Sequence, residues 1–189
     1  MDLEALMTRG TVRPITRWSE PVLHSPCRPV VAFDDDLHNL VADMWATMAA
    51  AEGVGLAAPQ IGVDLAVFVY DCPDEHGEHR RGVMCNPVLT LPQGPDRHLE
   101  ESDEGCLSLP GAFADLARPD RATCRGQDQN GDEVEISGSG FLARCLQHET
   151  DHLHGTVFGD RLPRKARARL LRDHEALADS YPPEWPAIT

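Results

Sequence analysis

A chain of 189 residues with 41% hydrophobic composition is long enough to bury one substantial core, and no apolar run reaches the ~18 residues of a membrane span. The formal net charge of −14 argues against a general nucleic-acid binder, DNA included, and the acidic Met1-Asp2-Leu3-Glu4 start does not resemble a basic signal peptide, so a cytoplasmic location is expected. The six cysteines contain no Cys-x-x-Cys pair, which in a reducing compartment favours free thiols, core residues or ligands over disulfides.

In chain order, the first 33 residues carry Pro14, Pro21, Pro26 and Pro29 among short apolar pieces, predicting an extended arm wrapped on the domain with residues 1–11 as a loose terminus. Asp34-Asp35-Asp36 then supply a cap and favourable dipole charge for a helix in which Leu37, Leu40, Val41, Met44, Trp45 and Met48 recur at helical spacing up to Gly53. A stripe of this kind is assigned to packing rather than to a cofactor. In the next run, Gly53-Val54-Gly55-Leu56-Ala57-Ala58-Pro59-Gln60, side-chain bulk is missing. That fits either a helix C-cap with a tight turn or a backbone that something approaches closely. The third glycine of a dinucleotide loop is absent. Strands are predicted over 65–70 and 83–91 with a polar loop at 71–81, and Asn130-Gly131 signals a hairpin between strands near 121–128 and 132–137.

The next stretch is Gln147-His148-Glu149-Thr150-Asp151-His152, an H-E-x-x-H pattern followed by Gly155. Phe141, Cys145, His148 and His152 lie at steps of one helical face, so both histidines can offer a ring nitrogen to one metal ion with Glu149 beside it as general base. Ser137 or Ser139 is placed to cap this helix and Gly155 to end it, giving a span of roughly 139–154. The pattern equally suits a packed core with satisfied histidines. A third ligand separates the enzyme classes. Phe158 stands where one protease class has a third histidine, and Glu175 is the downstream carboxylate a second class would use. Upstream, Cys106 in Glu104-Gly105-Cys106-Leu107-Ser108 is a soft thiolate that would complete a Cys-His-His set with an open fourth position, or else a small core residue. The pattern as a whole reads as a single α+β domain over residues 1–189, with antiparallel strands packed around the central H-E-x-x-H helix and a C-terminal helix near 164–178.

Taken together and in this order, the stretches 53–60, 104–108 and 147–152 resemble the three signature motifs of peptide deformylase, and the resemblance covers roughly residues 12–162, including Pro21-Val22-Leu23 and Asp160-Arg161. It implies a metal-dependent hydrolase of protein biosynthesis that removes the formyl group from formyl-methionyl nascent peptides as part of N-terminal methionine processing, releasing formate. It also implies that Cys106, His148 and His152 bind the metal, usually Fe2+ with Zn2+, Ni2+ or Co2+ able to replace it. Glu149 would then move the proton, the Gln60 amide and the Leu107 backbone N–H would stabilise the oxyanion, and Glu104 would pair with Arg118 behind the ligands. The peptide would lie against Val54-Gly55 as an added strand, its methionine in a pocket lined by Arg144, Cys145 and His148. Two positions depart from the family pattern: Arg144 replaces an aliphatic pocket residue and Phe113 replaces an arginine found in some members.

Residues 161–172 hold Arg161, Arg164, Lys165, Arg167, Arg169 and Arg172 without an acid, against the acidic whole. In some family members the C-terminal helix docks on the ribosome, which a basic helix would suit, while a solvated helix face explains the same charges. Residues 181–189, with three prolines, read as a loose tail. The rival readings are a peptidase that uses Glu175 as ligand and a non-catalytic relative that binds nascent chains.

Overall fold

In the computed structural model, which describes residues 1–186, a five-stranded and a two-stranded antiparallel sheet surround one central helix, and a basic helix follows. The N-terminal residues contradict the expectation of a loose end. Leu3–Met7 form a helix, α1, whose Leu6 is fully buried in the same cluster as the long helix α2, Asp35–Ala50. Asp34 caps α2 by accepting hydrogen bonds from the N–H groups of Asp36 and Leu37. Each of the six residues of its anticipated stripe is buried, and burying a side chain of that size contributes ~1.5–3 kcal/mol.

The larger sheet runs in the order β1 (Gly55–Ala57), β2 (Val67–Pro73), β3 (His79–Thr90), β6 (Arg121–Gln127) and β7 (Glu133–Ser139). Strand alternation divides its two faces. Val67, Val69, Val83 and Cys85 pack towards α2, whereas Phe68, Tyr70, Cys72 and Met84 pack towards the central helix α3, Gly140–Leu153. The anticipated polar loop at 71–81 is mostly strand. Asp74 accepts hydrogen bonds from the N–H groups of His76 and Glu78, closing the turn so that β2 and β3 pair out to Pro73 and His79. The hairpin at Asn130-Gly131 forms as expected, pairing β6 with β7.

The smaller sheet was not legible as such: β4, Leu99–Gly105, pairs in full with β5, Phe113–Pro119. Its third layer of core, including Leu109, Leu116 and Phe158, lies beneath α4, Arg164–Glu175, whose Leu170 is buried there. Helix α3 is not the one-sided stripe its spacing suggested. Every residue from Leu142 to Leu153 is buried, whereas Phe141, which the stripe included, is half exposed. Ser139 is its N-cap residue without a side-chain cap bond, since its hydroxyl donates to Glu75 instead. Gly155 ends the helix as anticipated. Its φ of +74° and the Ser25 N atom, 2.7 Å from where a Cβ would stand, exclude a side chain.

Candidate functional site

The three donors come from two elements. Cys106 follows β4, while His148 and His152 sit one turn apart on α3, and one ligand atom from each lies within 4.8 Å of the others. Glu104, two residues before the cysteine, accepts a hydrogen bond from His148 Nδ1 at 2.7 Å, which turns Nε2 of that ring away from the carboxylate. Nε2 of His152 lies 3.3 Å from Cys106 Sγ. One thiol and two imidazoles, buried and convergent, fit a soft or borderline divalent ion with room for a further ligand. Burial opposes charge on both rings. At His148, Cys106 and Glu104 overcome that opposition and raise the pKa well above the ordinary value, whereas burial and the neighbouring His148 hold His152 well below it.

Behind these donor groups lies a chain of buried ions. Arg118 donates to Glu104 at 2.8 and 2.6 Å and to Asp151 at 2.9 Å, and Arg161 also pairs with Asp151. The pairing of Glu104 with Arg118 is thus an interior contact, both residues being buried. Burial by itself would raise the Glu104 pKa, but the hydrogen bonds from Arg118 and His148 hold the carboxyl well below the usual carboxylate range. Arg144, expected as a lining of the methionine pocket, is committed elsewhere at its charged end. Its guanidinium donates to Glu104 at 2.8 Å and to the carbonyls of Leu116 and Glu100 at 2.8 and 2.9 Å, so only its stem remains for the cavity wall.

Glu149 is buried, its Oε2 has no hydrogen-bond partner among the described residues, and burial pushes its pKa up to about 7. Gly55 explains its freedom from crowding, since a Cβ there would come within 2.8 Å of Glu149 Cδ. Gln60 is fixed by its Oε1, which accepts the Ala57 N–H at 2.9 Å, and its Nε2 faces Ser108 Oγ at 3.4 Å and Cys106 Sγ at 3.6 Å. The Val54 carbonyl accepts the Asp71 N–H at 2.9 Å, an arrangement in which strand alternation turns the N–H and C=O of Gly55 towards the open edge of β1. Asp71 engages the carbonyl of Val54 and not its N–H, and Val54 and Gly55 both line the cavity, the Val54 side chain being partly exposed.

A cavity of about 400 Å³ joins these groups: Val54, Gly55, Gln60, Glu104, Cys106, Leu107, Arg144, Cys145, His148 and Glu149 all line it, and Phe113 forms part of its rim. Glu175 does not belong to the site. It is exposed at the end of α4, which removes the ligand that a downstream-glutamate peptidase would require. Asp151, Ser108, Tyr181 and Trp185 are site residues that the sequence reading missed. Asp151 was signalled only as the variable fourth position of H-E-x-x-H.

A sequence model of polypeptide deformylases matches residues 12–168. Peptide deformylase 1 of Streptomyces avermitilis is 52% identical over 178 residues, covering 94% of this chain and 82% of that protein. Peptide deformylase of Mycolicibacterium paratuberculosis is 49% identical over 175 residues, covering 86% and 89% respectively. Among solved structures, a peptide deformylase from Legionella pneumophila superposes with a TM-score of 0.79 at 38% identity, covering 88% of this chain and 95% of that one. The Ehrlichia chaffeensis enzyme in complex with actinonin superposes at 0.80 with 36% identity, covering 88% and 97%.

Proposed function

The chain belongs to the polypeptide deformylase family, metal-dependent hydrolases that remove N-terminal formyl groups from nascent peptides, and from that premise we propose the residue roles, the metal and the cellular setting of this member. The observation that carries the roles is the convergence of the Cys106, His148 and His152 donor atoms beside an unpartnered Glu149 carboxylate oxygen. Cys106, His148 and His152 hold the metal, iron(II) in the native protein, with zinc, nickel or cobalt as substitutes. The bound ion supplies Lewis-acid activation of water and of the formyl carbonyl.

The remaining steps belong to the chain itself. Glu149, with a pKa near neutrality, accepts the proton of the attacking water and passes it to the departing peptide amine. Gln60 Nε2, aimed into the site by the anchoring of Oε1, donates to the oxygen that becomes negative, together with the Leu107 N–H. In other enzymes, one such donor is worth roughly 2.7–4 kcal/mol. A formyl carbon carries only hydrogen, and the close approach of the Gly55 backbone to Glu149 supports a tight cavity that admits it and rejects acetyl. The peptide backbone pairs with the open edge of β1 at Gly55, and the methionine side chain enters between Cys145, His148 and the stem of Arg144.

Among the described residues no helix is long and apolar enough to cross a membrane, and the setting proposed is the cytoplasm. Ribosome docking through α4 rests on fewer charges than the sequence offered. Arg161, Arg167 and Arg169 pair with Asp151, Asp160 and Asp173, leaving Arg164, Lys165 and Arg172 for a polyanion. The test of the roles is formate release from formyl-Met-Ala-Ser by anaerobic, metal-loaded protein. Wild type should release formate, Glu149→Ala should lose release while keeping its metal, and Cys106→Ala should lose both. Metal-loaded Glu149→Ala with wild-type rates would refute the assignment.

A further inference from the structure

Strand β4 delivers Cys106, which follows its last residue, Gly105, yet the strand has no apolar side chain with which to hold itself on the protein. From Leu99 to Asp103 every residue is exposed, and Glu104 is its one buried side chain. Its only ladder is with β5, since the two strands form a sheet of their own. A lone two-stranded hairpin is marginally stable in water. Whatever fixes this hairpin against α3 therefore also fixes the thiol against the two histidines.

Arg144 reaches both strands from the helix. It is buried on α3 one turn before His148, and its Nη1 donates to Glu104 Oε2 of β4 and to the Leu116 carbonyl of β5, each at 2.8 Å. Its Nη2 donates to the Glu100 carbonyl of β4 at 2.9 Å. The remaining ties between helix and hairpin act elsewhere. Arg118 to Asp151 and Gln147 to the Pro119 carbonyl, both at 2.9 Å, hold β5. Glu104 also accepts from His148, but that bond runs through a metal donor. Among the described residues, Arg144 thus makes the hydrogen bonds from α3 to β4 that are independent of the donors. The planar fork of a guanidinium suits this task, because it serves several acceptors at fixed angles.

We propose that Arg144 is a positioning residue of the metal centre: by clamping β4 and β5 on α3, it keeps the Cys106 thiol in reach of the ion that His148 and His152 share. The proposal rests on the reading of those three side chains as ligands. Ligand distances tolerate shifts of only about 0.2 Å. A loosened hairpin therefore weakens the grip of the thiol on the ion while leaving the two histidines in place on their helix.

The experiment loads the full chain with cobalt(II), whose sulfur-to-metal charge-transfer absorption reports a thiolate ligand, and measures affinity by competition with a chelator. In Arg144→Leu the affinity should fall about tenfold and the absorption should weaken. Arg144→Lys, which keeps the charge but not the fork, should lie between that variant and wild type. Leu37→Ala truncates the core at the start of α2, in a different cluster from Cys106, and controls for a general loss of stability. It should keep both readouts at the wild-type level. Unchanged affinity and absorption in Arg144→Leu would overturn the proposal, as would an equal loss in Leu37→Ala. If Arg144→Leu does not fold, wild-type values in Arg144→Lys overturn it instead. Failure of the ligand reading looks different: wild type then binds cobalt without the absorption, or binds none.

Discussion

Replacing Glu104 with glutamine keeps the shape of the side chain and removes its charge from three buried partners, Arg118, Arg144 and His148. Breaking a buried ion pair by neutralising one partner typically costs 3–5 kcal/mol, because the other charge is left without its counterion. Asp151 still holds one Arg118 nitrogen, and the Leu116 and Glu100 carbonyls still hold Arg144, so the low end, about 3 kcal/mol, is expected. For a domain of this length that lowers Tm by roughly 6–12 °C. The loss also depends on pH, with a defined sign. Glu104 is held below its unfolded value of ~4.3, so its contribution is present above that pH and is lost as pH falls below it towards the folded pKa. Thermal melts of the chelated protein should show the full Tm gap at pH 7 and a shrinking gap below about pH 4. The freed His148 ring should also weaken metal binding by roughly 10–100-fold, read by competition with a chelator. A gap below ~1 kcal/mol at pH 7, or one that widens in acid, would refute the buried-charge account.

Gly55→Ala places a methyl against the Glu149 carboxylate and should cost ~1–3 kcal/mol of stability together with most of the activity, while metal content stays at the wild-type level; a fully active variant would show that the contact has slack. The iron form should decay in air while a nickel form persists, because a thiolate on redox-active iron is open to sulfur oxidation; mass spectrometry should find the added oxygen on Cys106, and equal half-lives would sink the idea. Reversing charge at Arg164, Lys165 and Arg172 together should abolish co-sedimentation with ribosomes at low salt and leave thermal stability near wild type, since all three are exposed; unchanged co-sedimentation would remove α4 from that role.

Helix α2 and the hairpin at Asn130-Gly131 were legible because one local signal dominates each: a 3.6-residue apolar stripe closed by an aspartate cap, and a turn that only a few residues can make. The convergence of His148 and His152 was legible because H-E-x-x-H fixes its geometry within one helix. Strand β4 was not. Leu-Glu-Glu-Ser-Asp-Glu-Gly has no alternation of apolar residues, and it is held by its ladder with β5 and by Glu104, the member buried among arginines. The partners of the Arg144 guanidinium were illegible for a related reason, since a charged residue at a buried helix position is explained only by an acid 40 residues away. The C-terminal segment misled because a proline-rich stretch carries no periodicity, yet the Ile15 N–H and the Arg17 guanidinium dock it by donating to the carbonyls of Trp185, Tyr181 and Pro182. The end of the anticipated tail, 187–189, lies outside the described residues.

Cys106 and His152 stand 46 residues apart in the chain, with three strands between them. An ion gripped by both closes that whole stretch into a ring, as a cross-link would. In the chain-entropy view, a covalent closure of this length removes about 4 kcal/mol of freedom from the unfolded chain. Ligation differs from a covalent tie in being reversible, so the benefit scales with the free ion concentration. Scarcity of the ion would then shorten the protein's survival as well as its turnover.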